Sequence, residues 1–212
     1  MNSRDKVFVV DDDEAVRNAI AMLLRSAGHE VMTFSGAESF LESCTGSYEG
    51  CLILDVSMPS MDGPALQQEL SKRSIRLPIL FLTGHGTIPT TVRAIKAGAM
   101  DFLLKPVDGS KLLARVEDAL RQNQEARQRF MEQEDIVRRL NELTSREQEI
   151  MKGVIAGHTS KEIAQRLDIS HRTVEIHRAH VMEKTGATNL ADLARMYWST
   201  NAEEEEKNQD YP

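Results

Sequence analysis

The sequence predicts an α/β domain on a parallel sheet, then a long polar helix, then an all-helical domain. Three observations support this prediction. Over the first 120 residues short apolar runs alternate with amphipathic stretches, a segment without Gly or Pro follows, and residues 144–200 have a helical pattern. Strands that alternate with helices in this way form parallel sheets with helices on both faces.

Five apolar runs are the predicted strands of the first domain, and amphipathic stretches are its helices. The first helix places Val16, Ile20 and Leu24 on one face, and Gly28 ends it. Pro64 opens the third helix, where its missing N–H costs nothing. The predicted strands cover 7–10, 30–33, 51–54, 79–82 and 101–104, and the predicted helices cover 14–27, 37–41, 64–73, 88–97 and 109–121.

Reactive side chains stand where the predicted strands end. The acid run Asp11–Asp13 follows the first strand, Asp55 the third, Thr83 the fourth and Lys105 the fifth. In an open parallel sheet, functional groups gather at the carboxyl ends of the strands. Any one of these residues by itself is more often an ordinary turn residue. A chance match to this pattern at four strand ends is improbable, so we expect the side chains to lie close together.

Clustered carboxylates repel one another unless a cation joins them, and Mg²⁺ takes oxygen ligands of this kind. We expect Asp12 and Asp55 as direct ligands, with Asp11 close by or acting through water. The backbone carbonyl of Ser57 is a candidate for a further oxygen ligand. Asp55 is then the nucleophile, because a carboxylate can attack a phosphoryl group to form an acyl phosphate.

Lys105 and Thr83 complete the predicted phosphoryl site. The Lys105 ammonium, together with Mg²⁺, offsets the negative charge of the transferring group. The Thr83 hydroxyl can donate a hydrogen bond to a phosphoryl oxygen. Pro106 permits a cis peptide bond that would aim Lys105 inward, although trans is the commoner state.

These motifs resemble the receiver domains of two-component systems over residues 4–121, through VFVVDDDEAVR, LILDVSMPSMDG, LFLTGHG and DFLLKP. The resemblance implies a flavodoxin-like, doubly wound sheet in the order 2-1-3-4-5, and phosphorylation of Asp55 by a sensor histidine kinase. It also implies that Thr83 and Phe102 reorient together and change the surface of the fourth helix, fifth strand and fifth helix. The alternative for Phe102 is an ordinary core position.

Capping signals divide residues 144–200 into helices. The pairs Thr144–Glu147 and Thr159–Glu162 each have the spacing of a capping box. Ser170 caps a further helix after a short turn. The predicted breaks between helices fall at Gly157, Asp168 and Gly186.

Two helices joined by a short turn, the second bearing Arg, His and Lys, suit insertion into the major groove of DNA. Arg172 is a candidate for phosphates or guanine edges, and Glu175 for a cytosine amino group. Ile176 and Ala179 are candidates for thymine methyl groups. From composition alone, a helical bundle with a solvated charged face fits equally well. The predicted DNA contacts are Lys161, Arg172, Thr173, Glu175, Ile176, His177, Arg178, Ala179 and Lys184.

Net charge does not identify a DNA-binding segment in this chain. Of the total of −7, residues 1–120 contribute −4 and the last twelve residues another −4, whereas residues 144–200 carry 8 basic and 7 acidic side chains. DNA binding therefore depends on where the basic groups point.

The segments LTSREQEIM and AGHTSKEIAQRLDISHRTVEIHRAHVMEKTGA resemble the LuxR-type helix-turn-helix of the FixJ/NarL family, most closely its FixJ branch. The resemblance covers residues 141–198 and implies four helices, with 189–199 as the last. That helix often mediates dimerisation in the family. Glu175 and Ala179 replace lysines of some relatives, so base preference cannot be carried over. The residues suited to dimerisation, or equally to the domain's own core, are Leu190, Leu193, Ala194 and Tyr197.

The polar segment over 122–141 is predicted to be a helix that continues from the first domain. It is either a stiff spacer or a dimerising coil, and its apolar residues are sparse for a heptad pattern. The C-terminal stretch NAEEEEKNQDYP is expected to be disordered.

The sequence contains no apolar run long enough to span a membrane, and MNSRDKVFVV lacks the features of a signal peptide. Cys44 and Cys51 lack metal-ligand spacing, and a disulfide would be unusual in a reducing cytosol. We therefore expect a cytoplasmic protein.

Together these features predict a response regulator rather than an enzyme, similar as a whole to regulators of aromatic-hydrocarbon breakdown of the styrene type. The expected cofactor is Mg²⁺, and the expected partners are a sensor histidine kinase, promoter DNA, RNA polymerase and, on phosphorylation, a second copy. Two alternatives remain: a phosphorelay intermediate whose second domain binds protein, and a phosphatase-like enzyme. The predicted domains are a receiver over 1–121, a linker over 122–141, a DNA-binding domain over 142–200 and a tail over 201–212.

Overall fold

The computed structural model describes residues 6–44, 49–84 and 100–209, with side chains as far as residue 200. The predicted helix over 88–97 lies outside these ranges. The strands are β1 (Lys6–Val10), β2 (Glu30–Phe34), β3 (Gly50–Asp55), β4 (Ile79–Thr83) and β5 (Asp101–Leu104). The helices, numbered within the described residues, are α1 (Glu14–Ser26), α2 (Ala37–Ser43), α3 (Gly63–Lys72), α4 (Gly109–Asn141), α5 (Ser145–Ile155), α6 (Ser160–Leu167), α7 (His171–Thr185) and α8 (Leu190–Gln209).

The chain divides into two compact units, Met1–Arg127 and Gln128–Pro212. The division falls within α4, inside the segment predicted as a linker. No helix in the described ranges has both the length and the apolar character needed to cross a membrane.

The first unit contains the predicted sheet. Its strands are all parallel, in the order β2-β1-β3-β4-β5, which confirms the predicted fold. Alternate side chains of β1 enter different cores, because successive residues of a strand point to opposite faces. Val7 and Val9 pack with residues of α1 and α4, whereas Phe8 and Val10 pack with residues of α2 and α3.

Helix α4 is 33 residues long. Its first part contributes Leu112 and Val116 to the core of the first unit. Its last part contributes Ile136 and Leu140 to a core of the second unit, beside Leu143. Between these contacts it is polar, and its exposed apolar residues are Phe130, Met131 and Val137.

The second unit is helical, and its helices begin where the capping signals predict. Both capping boxes are formed, and the Ser170 hydroxyl accepts a hydrogen bond from the Thr173 N–H at the start of α7. Val174 and Val181 of α7 are buried, and Leu193 of α8 is buried in the same unit. Leu193 therefore serves the domain's own core, whereas Leu190 is exposed.

The prediction of a disordered tail from residue 201 differs from the structure, in which α8 continues to Gln209. The physical reason is that helix elongation is easier than nucleation, and glutamate is a good helix former. The run of four glutamates therefore extends a helix that the core already holds.

Candidate functional site

The strand ends of the first unit bring the predicted phosphoryl-site residues together. Asp11 follows β1, Asp55 ends the neighbouring β3, and Thr83 ends β4. Lys105 follows β5 at the side of Thr83, whose carbonyl accepts a hydrogen bond of 2.7 Å from the Lys105 N–H. Parallel pairing of adjacent strands thus places four distant parts of the sequence at one sheet edge.

Lys105 pairs with two carboxylates at once. Its Nζ lies 2.7 Å from Asp11 Oδ2 and 2.8 Å from Asp55 Oδ1. Asp11 is completely buried and Asp55 is 5% exposed. The ammonium therefore compensates two charges that burial would otherwise penalise heavily. The peptide bond between Lys105 and Pro106 is cis.

Carboxylate oxygens of Asp11, Asp12 and Asp55 lie within 4.8 Å of one another. Asp12 is exposed, so the cluster is open to solvent on that side. Such a set of oxygens suits a hard divalent cation such as Mg²⁺. At Ser57, the N–H donates to Asp55 Oδ2 at 3.2 Å; the predicted role of its carbonyl as a ligand stays a prediction.

The pocket changes the proton affinity of its own groups. Burial raises the pKa of Asp55 above its ordinary value, and the hydrogen bond from Lys105 opposes this rise. Burial alone would lower the pKa of Lys105, but its hydrogen bonds to Asp11 and Asp55 raise that pKa. The lysine therefore stays protonated next to the carboxylate predicted as the nucleophile.

Two residues near the pocket have roles that the sequence reasoning missed. Asp13 caps α1 by accepting from the Ala15 and Val16 N–H groups, so its side chain is engaged away from the acid cluster. Arg17 Nη1 donates to the carbonyl of Asp11 at 2.7 Å and fixes the backbone there. An aspartate just before a helix was the available signal for the first role. The contact of Arg17 spans only six residues, but it depends on how the β1–α1 turn folds, and no capping or spacing pattern marks it.

Gly63 stands directly behind Asp55. A Cβ at this position would lie 2.5 Å from the Asp55 carbonyl oxygen and 2.8 Å from the Phe81 ring. A side chain would therefore force the backbone of the predicted nucleophile to move. Phe81 in turn contacts Phe102, with ring centroids 6.2 Å apart. Phe102 is partly buried against this core, and its switch role stays a prediction.

The predicted DNA contacts fall into two groups in the second unit. The exposed group comprises Lys161, Arg172, Glu175, Ile176 and Ala179. The half-buried group makes contacts inside the unit: Arg178 Nη1 donates to Ser160 Oγ at 3.1 Å, and Lys184 Nζ donates to Glu147 Oε2 at 2.7 Å. The half-buried residues are Thr173, His177, Arg178 and Lys184.

Glu147 is a buried acid that the sequence reasoning used only as a helix cap. The hydrogen bond from Lys184, aided by those from Thr144, lowers its pKa to about 2. Lys184 thus ties the end of α7 to the start of α5. Because the Lys184 ammonium is bonded to Glu147, it has limited freedom to contact DNA.

Two family models match the chain. The response regulator receiver domain matches residues 7–117, and the bacterial regulatory proteins of the luxR family match residues 141–197. Transcriptional regulatory protein FixJ of Bradyrhizobium diazoefficiens is 41% identical over 92% of this chain and 96% of its own length. Response regulator protein TodT of Pseudomonas putida is 40% identical over 90% of this chain and 84% of its own.

Solved structures agree with these matches. The response regulator StyR is 44% identical, with a TM-score of 0.86 over 93% of this chain and all of that one. Full-length FixJ from B. japonicum is 40% identical, with a TM-score of 0.59 over 95% of this chain and 99% of that one. Both likenesses span the receiver and the helical domain.

Proposed function

The chain belongs to the response regulators that join a receiver to a LuxR-type DNA-binding domain, and from this premise we propose that Asp55 is the phosphoacceptor through which a sensor histidine kinase controls its binding to promoters. The family regulates transcription through phosphorylation and DNA binding and is not enzymatic in the usual sense. The luxR-family match therefore favours DNA over protein as the target of the second domain, and regulation over phosphatase activity.

The convergence of Lys105 on Asp55 and Asp11 supports this proposal most strongly. In the proposed reaction a carboxylate oxygen of Asp55 attacks the phosphorus of a phosphohistidine. The P–N bond breaks as the new O–P bond forms, and the imidazole leaves. The Lys105 ammonium then neutralises one phosphoryl oxygen, and the Thr83 hydroxyl donates to another.

Asp11, Asp12 and Asp55 are the residues that would hold Mg²⁺, and the Ser57 carbonyl is a further proposed ligand. Bound there, the ion would offset the negative charge of the phosphoryl group. The donor set fits this ion, because every side chain in the cluster offers an oxygen. The raised pKa of Lys105 keeps a second positive charge in place.

Phosphorylation is proposed to shift the receiver toward a state that forms a homodimer, with Thr83 and Phe102 as the switch pair. Two DNA-binding domains then bind two half-sites of a promoter and recruit RNA polymerase, which makes activation the proposed outcome. The proposed limits are 1–121 for the receiver, 122–141 for the linker and 142–200 for the DNA-binding domain. A protein that acts on promoter DNA is proposed to reside in the cytoplasm.

The test compares the wild type with Asp55→Asn, using a small-molecule phosphodonor and Mg²⁺. We expect intact-mass measurement to show one added phosphoryl group on the wild type and none on the variant, and DNA affinity to rise only for the wild type. Asp62→Asn is the matched control, because Asp62 caps α3 and asparagine caps a helix equally well. A phosphorylated Asp55→Asn protein with wild-type DNA binding would refute the assignment.

A further inference from the structure

A second group of metal-ligating side chains lies in the DNA-binding unit. One ligand atom each of Glu147, His177 and His180 lie within 4.8 Å of one another. Glu147 is on α5, and the two histidines are three residues apart on α7, so they share one face of that helix. These three residues, the His–His–Glu cluster, have no part in the proposed phosphoryl chemistry.

The two oxygens of Glu147 have different surroundings. Oε2 accepts hydrogen bonds from the Thr144 N–H at 2.8 Å, the Thr144 hydroxyl at 3.0 Å and Lys184 Nζ at 2.7 Å. Oε1 faces Nδ1 of His180 at 3.7 Å. That separation is too long for a hydrogen bond. It is close to the roughly 3.4 Å between two ligands of a tetrahedral Zn²⁺ with bonds near 2.1 Å.

His177 provides an independent observation. Its Nδ1 is buried and has no hydrogen-bond partner within the described part of the chain. A buried polar atom without a partner is costly, and a bound water or ion is a usual explanation. The side chain of His180 is half exposed, which leaves a route for an ion from solvent.

We propose that the His–His–Glu cluster binds one divalent transition-metal ion of the Zn²⁺ type. Two imidazoles and one carboxylate, with a fourth position open to water, form a known zinc donor set. Mg²⁺ fits poorly because it requires oxygen ligands. The ion would join helix α7 to helix α5. Lys184 would stay on the other carboxylate oxygen of Glu147, and its positive charge would moderate the affinity for the ion.

The test titrates Zn²⁺ into the full-length protein by calorimetry with Mg²⁺ in excess, so that the receiver acids are occupied. We expect one Zn²⁺ to bind the wild type, and binding to weaken by about tenfold or more in His180→Gln and further in the His177→Gln/His180→Gln double variant. His171→Gln is the control, because His171 is exposed on the same helix but outside the cluster. It should bind Zn²⁺ as the wild type does.

Thermal unfolding and Co²⁺ spectra give two further readouts. Zn²⁺ should raise the melting temperature of the wild type and of His171→Gln, and leave that of the double variant unchanged. Co²⁺ should give visible absorption bands that the double variant lacks and that His180→Gln shows only at higher Co²⁺ concentrations. The proposal is wrong if His180→Gln, folded by circular dichroism, binds Zn²⁺ like the wild type, or if the wild type binds none. Either result leaves the phosphorylation of Asp55 untouched, so the two proposals fail separately.

Discussion

The receiver pocket and helix α7 of the DNA-binding unit use charged residues in different ways. In the pocket, Lys105 holds two buried carboxylates, and neighbouring strand ends concentrate every charge at one sheet edge. On α7, by contrast, Arg172 is exposed while Lys184 is paired within its own unit. Side chains at the ends of parallel strands lie at the same sheet edge. The surroundings of a helical side chain, in contrast, depend on which elements pack against that helix. The residues of the pocket can therefore be predicted from the sequence, whereas the residues of the DNA-binding surface cannot.

The largest effect is expected from Lys105→Ala, which removes the charge on which the pocket depends. We expect phosphorylation by a small-molecule donor to slow by about 10²-fold, because one stabilising group is lost from the transition state. Mg²⁺ should bind more tightly, because a cation has been removed from beside the acids. The measurements are the rate of phosphoryl incorporation and Mg²⁺ titration. Lys111→Ala, at an exposed position of α4, should change neither; weaker Mg²⁺ binding in Lys105→Ala would contradict the electrostatic argument.

Gly63→Ala tests whether the pocket depends on its backbone. The added methyl would meet the Asp55 carbonyl oxygen at 2.5 Å, so strand β3 or helix α3 must shift. We expect the free energy of unfolding of the receiver to fall by about 2 kcal/mol, measured by urea denaturation. Gly36→Ala is the steric control, since the nearest atom there is a flexible glutamate oxygen at 3.6 Å, and the change of the α2 N-cap from glycine to alanine should cost less than the clash at Gly63. Equal stability of the two variants would show that the close approach is unimportant.

Arg172→Ala and Arg178→Ala separate the exposed from the internally bonded basic residues of α7. Arg172 is exposed, and in the described part of the chain it makes no ion pair. Its loss should weaken promoter binding by about tenfold and reduce the salt slope by about one, with an unchanged melting temperature. Arg178→Ala should lower the melting temperature, because the hydrogen bond to Ser160 is lost. If Arg172→Ala lowered the melting temperature and Arg178→Ala only weakened promoter binding, the assignment of Arg172 to the DNA-contacting group and of Arg178 to the internally bonded group would be wrong.

The smallest effect concerns the two capping boxes of the DNA-binding unit. We expect Thr144→Ala to cost about 1 kcal/mol of unfolding free energy, and Thr159→Ala less. The reason is that Thr144 caps with the buried Glu147, which Lys184 also binds, whereas Glu162 is exposed. Denaturation followed by fluorescence of Trp198, the single tryptophan, reports on this unit. A larger loss in Thr159→Ala would show that burial of the capping acid does not matter.

The order of the elements, the residues at the strand ends and the three caps of the second unit could all be predicted from the amino-acid sequence. Each rests on local rules: alternation of apolar residues, the end of a strand, or the spacing of a capping pair. The parallel sheet then follows, because alternating strands and helices have few ways to pack. Asp55 and Lys105 were predictable as partners for that reason.

Which side chains of the second unit are free to contact DNA depends on how its helices pack together. The pairing of Lys184 with Glu147, 37 residues apart, depends on how α7 packs on α5. The same packing brings His177 and His180 to Glu147. Helical periodicity gives the face of each residue but not the partner opposite it, and burial of a charge depends on that partner.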